Sequence, residues 1–135
     1  MPQECRTQGV HHVGLTVPNI QQTRDFFVEV LGFTQVGEKP TYPAVFVSDG
    51  HTMLTLWQAA DPEHARSFDR SNCIGLHHLA LSVDQDTLQA LHSELLKRED
   101  CRVEFAPEPL GAGGMQHMMT RIPGGLRIEF VAAGS

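Results

Sequence analysis

The chain has no apolar run approaching the roughly 18 residues that a membrane span requires, so a helical transmembrane protein is excluded. Its first residues, MPQECRTQGV, lack the basic-then-apolar layout of a signal peptide, and a cytoplasmic protein is expected. Cysteine is scarce. Cys5, Cys73 and Cys101 form no CxxC and cannot all pair among themselves, so inert thiols are expected rather than a disulfide framework. Positive charge is scarce too: ten Lys and Arg stand against sixteen Asp and Glu, for a net charge of −6, and the basic residues are scattered. That leaves no electrostatic footprint for nucleic acid or an anionic membrane surface. What remains is globular material, 41% hydrophobic and 19% charged, and 135 residues suffice for one compact domain. Histidine is the exception to this plainness: there are eight, four of them in two HH pairs.

Those pairs belong to an internal repeat. Residues 9–17, GVHHVGLTV, align with residues 75–83, GLHHLALSV, at an offset of 66. Gly9/Gly75, His11/His77, His12/His78, Leu15/Leu81 and Val17/Val83 are identical, and the other pairs are similar or small. An offset near half the chain length implies two copies of one supersecondary unit. Each copy opens on an alternating strand, Val13, Leu15 and Val17 in the first and Leu79, Leu81 and Val83 in the second. A helix follows each. In the first, Pro18-Asn19 precedes apolar positions Ile20, Phe27, Val30 and Leu31, with Gly32 as the stop. In the second, Asp84 or Asp86 caps a stripe of Leu88, Leu91, Leu95 and Leu96.

Strand-like segments follow each helix: Ala44–Ser48 and Thr52–Trp57, joined at Asp49-Gly50, in the first half, and Val103–Phe105, Gln116–Ile122 and Leu126–Val131, the last two joined at Pro123-Gly124-Gly125, in the second. The two hairpins superpose at an offset of 74, so that Leu54-Thr55-Leu56 meets Ile128-Glu129-Phe130. Pro107–Gly114 reads as an inserted loop. The expected organisation is a single domain of two β-α-β-β(-β) modules, about 9–57 and about 75–131, linked by 58–72.

The repeat places His12 and His78 at equivalent positions, opposite the aliphatic residues that pack under the helices. Glu129 projects the same way, because Leu126, Ile128 and Phe130 take the core face, and Thr55 is its repeat partner. A pseudo-twofold between the halves would bring His12, His78, Thr55 and Glu129 together. Two imidazoles and a carboxylate with open positions are a ligand set for divalent Fe, Mn, Ni or Zn. His11 and His77 are expected to face the core side or strand edge as structural residues, and His51, His64 and His92 to face solvent. His117 is undecided: if the odd positions of its strand face the site, His117, Met119 and Arg121 line it. Met115, Met118 and Met119 otherwise read as packing residues. Arg121 or Arg127 could pair with a substrate anion or form a surface salt bridge.

The segments HHVGLTVPNIQQTRDFFVEVLGF, LHHLALSV and PGGLRIEF resemble the vicinal oxygen chelate superfamily, which includes glyoxalase I, extradiol dioxygenases, methylmalonyl-CoA epimerases, fosfomycin-resistance enzymes and bleomycin-binding proteins. The resemblance runs from about Val10 to Val131. It implies an α+β fold of two βαβββ modules, with a cupped, mostly antiparallel eight-stranded sheet around a metal and helices on the outer face. Carried over residue by residue, it makes His12, His78 and Glu129 the metal ligands. Thr55 departs from the pattern, since glyoxalase I and the epimerases carry Glu or Gln there. The lysine and tyrosine anion site of the fosfomycin enzymes is not visible between Pro107 and Arg121. The resemblance also implies a homodimer whose sites are shared, His12 and Thr55 from one subunit facing His78 and Glu129 of the other.

The leading expectation is therefore a metal-dependent, glyoxalase I-like lyase or isomerase acting on a small oxygenated substrate through a metal-bound enediolate, with Glu129 moving the proton. An Fe(II) dioxygenase of extradiol type is the alternative within enzymes. A metal-free small-molecule or antibiotic-binding protein is the alternative outside them, with Trp57, Met53 and Phe46 as the pocket wall; Trp57 otherwise reads as a core or interface residue. Substrate identity is assigned to the loops Glu38–Pro43, Gln58–Asn72 and Pro107–Gly114.

Overall fold

A computed structural model describes residues 3–39, 41 and 43–134. Of the loop expected to carry specificity at 38–43, Pro40 and Tyr42 lie outside the described residues. The chain divides into two compact units, Met1–His64 and Ala65–Ser135. Each carries a four-stranded sheet of the same topology. In the first unit the elements run β1 (Val13–Val17), α1 (Ile20–Asp25, continued by a π-helical turn over Phe26–Val30), β2 (Thr34–Lys39), β3 (Ala44–Ser48) and β4 (Met53–Gln58). In the second they run β5 (Leu79–Val83), α2 (Gln85–Leu96), β6 (Arg102–Pro109), β7 (Gln116–Arg121) and β8 (Arg127–Ala132). The strand orders are β1-β4-β3-β2 and β5-β8-β7-β6. Only the first pairing in each sheet is parallel, as the βαβ crossover through the helix demands; the others are antiparallel. The βαβββ architecture implied by the family resemblance is thus realised twice.

In the first unit the core lies between α1 and strands β3 and β4. Leu15, Val17, Phe26, Phe27, Phe33, Val47, Leu54 and Leu56 are all buried there. Asn19 caps α1, its side chain accepting from the Gln22 N–H at 3.0 Å. Phe26 was not among the expected apolar positions, yet it is buried beside Phe27. The helix widens into a π turn closed by the Leu31 N–H on the Phe26 carbonyl at 3.3 Å, which lets two consecutive rings both face inward. The Gln58 side chain ties the end of β4 back to the helix start, accepting from the Ile20 N–H and donating to the Pro18 carbonyl.

In the second unit Asp84, rather than Asp86, caps α2 through the Thr87 N–H at 2.7 Å. Leu88, Leu91 and Leu95 are buried, whereas Leu96 is 62% exposed, because an i, i+3, i+7 stripe already fills the face against β6, β7 and β8. No periodicity marks β2, a largely exposed strand with a bulge and Gly37 in its middle. β6 runs through Pro109, so part of the expected loop is strand. The remainder is a glycine turn closed by the Leu110 N–H on the Met115 carbonyl at 2.9 Å, with Gly113 at φ 112°.

The turn between β7 and β8 is one residue longer than that between β3 and β4. Arg121 pairs with Arg127, and Ser48 with Met53. The offset of 74 therefore holds for the last strand of each unit but not for the strand before it. Met119 sits opposite Glu129 where Phe46 sits opposite Thr55.

Candidate functional site

In the second unit, Ile128 and Phe130 are each 1% exposed under α2, which turns Glu129 to the opposite face. Met118 and Thr120, fully buried, settle β7 the same way. His117, Met119 and Arg121 therefore share the face of Glu129, with Met119 directly across from it. His78 enters this face from the residue before β5. Its Nε2 stands 3.1 Å from Glu129 Oε1, and its Nδ1 is 2.8 Å from Nδ1 of His77. The other carboxylate oxygen, Oε2, meets Nδ1 of His117 at 2.5 Å. All three side chains are half-buried or deeper, at 33% exposed for His78, 12% for Glu129 and 14% for His117. The His117 ring packs edge-on against Phe105, with centroids 4.8 Å apart, and its Nε2 is 3.8 Å from Glu108.

Beside this cluster lies an ion-pair network. Glu104 receives Arg127 through two bonds and Arg121 through a third. Hydrogen bonding from Arg127, and then from Arg121, holds the Glu104 carboxyl below its ordinary range against the effect of burial. Arg127 is buried rather than on the surface, and Arg121 is committed to Glu104 through Nε. His77, expected on the core side or strand edge, is instead exposed, its ring against Phe68 and within reach of Arg127 Nη1. Glu104, Phe105 and Glu108 went unrecognised in the sequence, because two register shifts in β6 break its alternation.

In the first unit His12 is exposed just ahead of β1, its Nδ1 2.9 Å from that of His11, repeating the His77–His78 arrangement. Thr55 is buried, and its hydroxyl accepts from the Trp57 indole N–H at 2.8 Å. Phe46, opposite Thr55, tilts against the Trp57 ring at 6.4 Å. Gly14 and Gly37 leave room for these rings: a Cβ at Gly14 would lie 3.1 Å from Thr55 Oγ1, and one at Gly37 3.0 Å from the Phe46 ring.

The chemistry of the donor set can be tested on the His78–Glu129 pair. Two ligand atoms bound at right angles about 2.1 Å from one cation stand about 3 Å apart, and Nε2 and Oε1 have that separation. The pair fits two adjacent coordination positions. Among the described residues, no three His, Cys, Asp or Glu side chains form a ready-made metal group. His12 belongs to the first unit and His78 and Glu129 to the second. Also among the described residues, no helix is long and apolar enough to cross a membrane.

A repeated βαβββ unit with a His–Glu pair on the sheet face away from the helix defines a class, and comparison with known proteins agrees. Residues 9–130 match the model of the Glyoxalase/Bleomycin resistance protein/Dioxygenase superfamily, and the chain belongs to that superfamily. It is 29% identical over 112 residues to the mitochondrial methylmalonyl-CoA epimerase of Bos taurus, covering 78% of this chain. The match spans only 62% of that relative's length. It is also 29% identical over 144 aligned positions to a 2-epi-5-epi-valiolone epimerase of Actinomyces sp, covering 90% of this chain and 78% of the relative. In fold it resembles a glyoxylase/bleomycin resistance protein/dioxygenase domain from Frankia sp. EAN1pec, with a TM-score of 0.76 at 22% identity and coverage of 94% and 93%.

Proposed function

We propose that this chain is a metal-dependent enzyme of its superfamily that moves a proton at a carbon next to a carbonyl, as a lyase or isomerase of small oxygenated substrates. The observation that carries this reading is the 3.1 Å pairing of His78 Nε2 with Glu129 Oε1. Two of its curated relatives being epimerases supports proton transfer as the reaction class. His78 and Glu129 would hold a divalent Fe, Ni, Zn or Mn ion together with His12, in one domain of two modules, about 9–57 and about 75–131, joined by 58–72. A second copy of the chain is proposed to complete the site, one subunit supplying His12 and Thr55 and the other His78 and Glu129. When bound, the metal supplies Lewis acidity to a substrate carbonyl.

The remaining chemistry belongs to the chain. Glu129 takes the proton from the carbon and returns it, a role open to a carboxylate that is 12% exposed and already oriented by its neighbours. Met119 and Phe105 keep that face poor in water, while Arg121, tied by Nε to Glu104, offers a cation at its margin. Elemental analysis of the purified chain, followed by substrate incubation in D₂O, tests the proposal. α-Branched thioesters and 2-hydroxycarbonyl compounds should lose their α-proton signal under anaerobic conditions with Ni(II) or Co(II). His78→Ala and Glu129→Gln should abolish the exchange. Oxygen consumption with Fe(II) in its place would replace this reading with a dioxygenase.

A second reading, metal-free capture of a small molecule, is favoured by the Phe46–Trp57 pair on the first unit. Absence of metal uptake together with ligand-dependent quenching of Trp57 would establish it.

A further inference from the structure

Resting on that metal reading, we propose that His117 is a positioning residue that fixes which oxygen of Glu129 is presented to the cation. A glutamate on a strand can rotate its carboxylate freely and offer one oxygen or both. Here Oε2 is engaged by His117 Nδ1, which leaves Oε1 as the oxygen that faces His78 Nε2. The role requires the tautomer in which Nδ1 of His117 carries the proton and donates to Oε2, since a ligating carboxylate only accepts hydrogen bonds.

The imidazole is itself held. Its ring lies edge-on against Phe105, and its side chain is 14% exposed. Between Phe105 and Glu108 strand β6 carries one residue more than β7 does, since Phe105 pairs with Met119 and Glu108 with His117. That bulge sets Phe105 against the ring while placing Glu108 beside its far nitrogen. Bulges of this kind re-aim side chains at the rims of sheets. Among the described residues the first unit has nothing equivalent: Ala44, opposite Trp57, occupies the corresponding place on β3, and Thr55 replaces the carboxylate. The hydrogen bond is therefore a feature of the second module alone, where the carboxylate needs orienting.

Outer hydrogen bonds to a ligating carboxylate are worth about ten- to a hundredfold in metal affinity. The experiment titrates the full chain with Co(II) alone in a calorimeter, comparing wild type with His117→Phe, His117→Asn and His117→Gln. The Asn amide nitrogen can occupy the place of Nδ1, whereas the Gln amide reaches toward Nε2. Weakening of Co(II) binding by ten- to a hundredfold in His117→Phe is expected, with recovery to within a few-fold in His117→Asn and not in His117→Gln. ¹⁵N shifts of the metal-free wild type should show the His117 proton on Nδ1, a readout independent of activity and of variant folding. Undiminished binding in His117→Phe overturns the role, as does rescue by Gln alone or a proton found only on Nε2. A wild type that takes up no Co(II) overturns the metal reading itself, and this role with it.

Discussion

The guanidinium of Arg127 meets the carboxylate of Glu104 through two bonds, Nε to Oε2 at 2.8 Å and Nη2 to Oε1 at 3.1 Å. Arg121 reaches the same Oε2 from β7 at 3.0 Å, and Arg127 Nη1 donates to the His77 carbonyl at 3.2 Å. One carboxylate on β6 thereby ties β7, β8 and the residues leading into β5. The Arg127 side chain is 5% exposed, so its charge depends on Glu104 for compensation. Glu104→Gln should cost about 3 kcal/mol in urea unfolding, the range for breaking a buried pair from one side. Replacing both partners, as in Glu104→Leu with Arg127→Met, should recover most of that loss. A single-variant cost below about 0.5 kcal/mol would show that Arg127 finds water in place of its partner.

The same carboxylate sets a pH dependence. Its folded value lies below its ordinary value of 4.5, chiefly through the Arg127 hydrogen bond and then that of Arg121. The unfolded chain therefore binds the proton more readily than the folded one, and the stabilisation is present above pH 4.5. It is lost as pH falls through the folded value. Urea midpoints measured downward from pH 6 should fall more steeply in wild type than in Glu104→Gln, with the two curves converging in acid.

Thiol reactivity should separate two of the three cysteines. Burial, reinforced by the Asp100 carboxylate 3.4 Å from Sγ, raises the Cys101 thiol to about 11. Cys5 is exposed, and its hydrogen bonds with Thr7 lower it. The smaller thiolate fraction of Cys101 is offset in part by the greater nucleophilicity of a more basic thiolate. In a Cys73→Ser background at pH 8, Ellman's reagent should label Cys5 at least tenfold faster than Cys101. Equal rates would mean that Cys101 is open to solvent.

What the sequence disclosed, and what it hid, follows from how each residue is constrained. The repeat was legible because both units bury the same alternating strand under a capped helix, so Leu15 and Leu81, or Asn19 and Asp84, answer to one local rule. Glu129 was legible for the same reason, flanked by Ile128 and Phe130 in the core. The orientation of His117 was not, because β7 is apolar at both parities and the hairpin turn gained a residue. β2 and the bulged β6 were obscured by polar sequence and broken alternation; their positions follow from pairing with β3 and β7. Glu104 is the clearest case: its role depends on Arg121 and Arg127, 17 and 23 residues away, and no local pattern encodes such a meeting.

Trp57 is the chain's single tryptophan, which makes its surroundings directly observable. Its indole N–H donates to Thr55 Oγ1 at 2.8 Å, and the open backbone at Gly14, paired with Thr55 across β1 and β4, gives the two groups room. Thr55→Val keeps the shape and removes the acceptor, so the indole N–H loses this hydrogen bond in a half-buried setting. The expected cost is about 1–2 kcal/mol, with a blue shift of Trp57 emission as the hydrogen bond is lost. Thr55→Ser should retain both stability and spectrum to within a small margin. Gly14→Ala reaches the same bond from the neighbouring strand, its Cβ 3.1 Å from the hydroxyl and 3.4 Å from Nε1. It should disturb the emission as Thr55→Val does, although it removes no polar atom. A spectrum unchanged in both Thr55→Val and Gly14→Ala would show that the indole is not bonded to Thr55, and would free that hydroxyl to face a ligand.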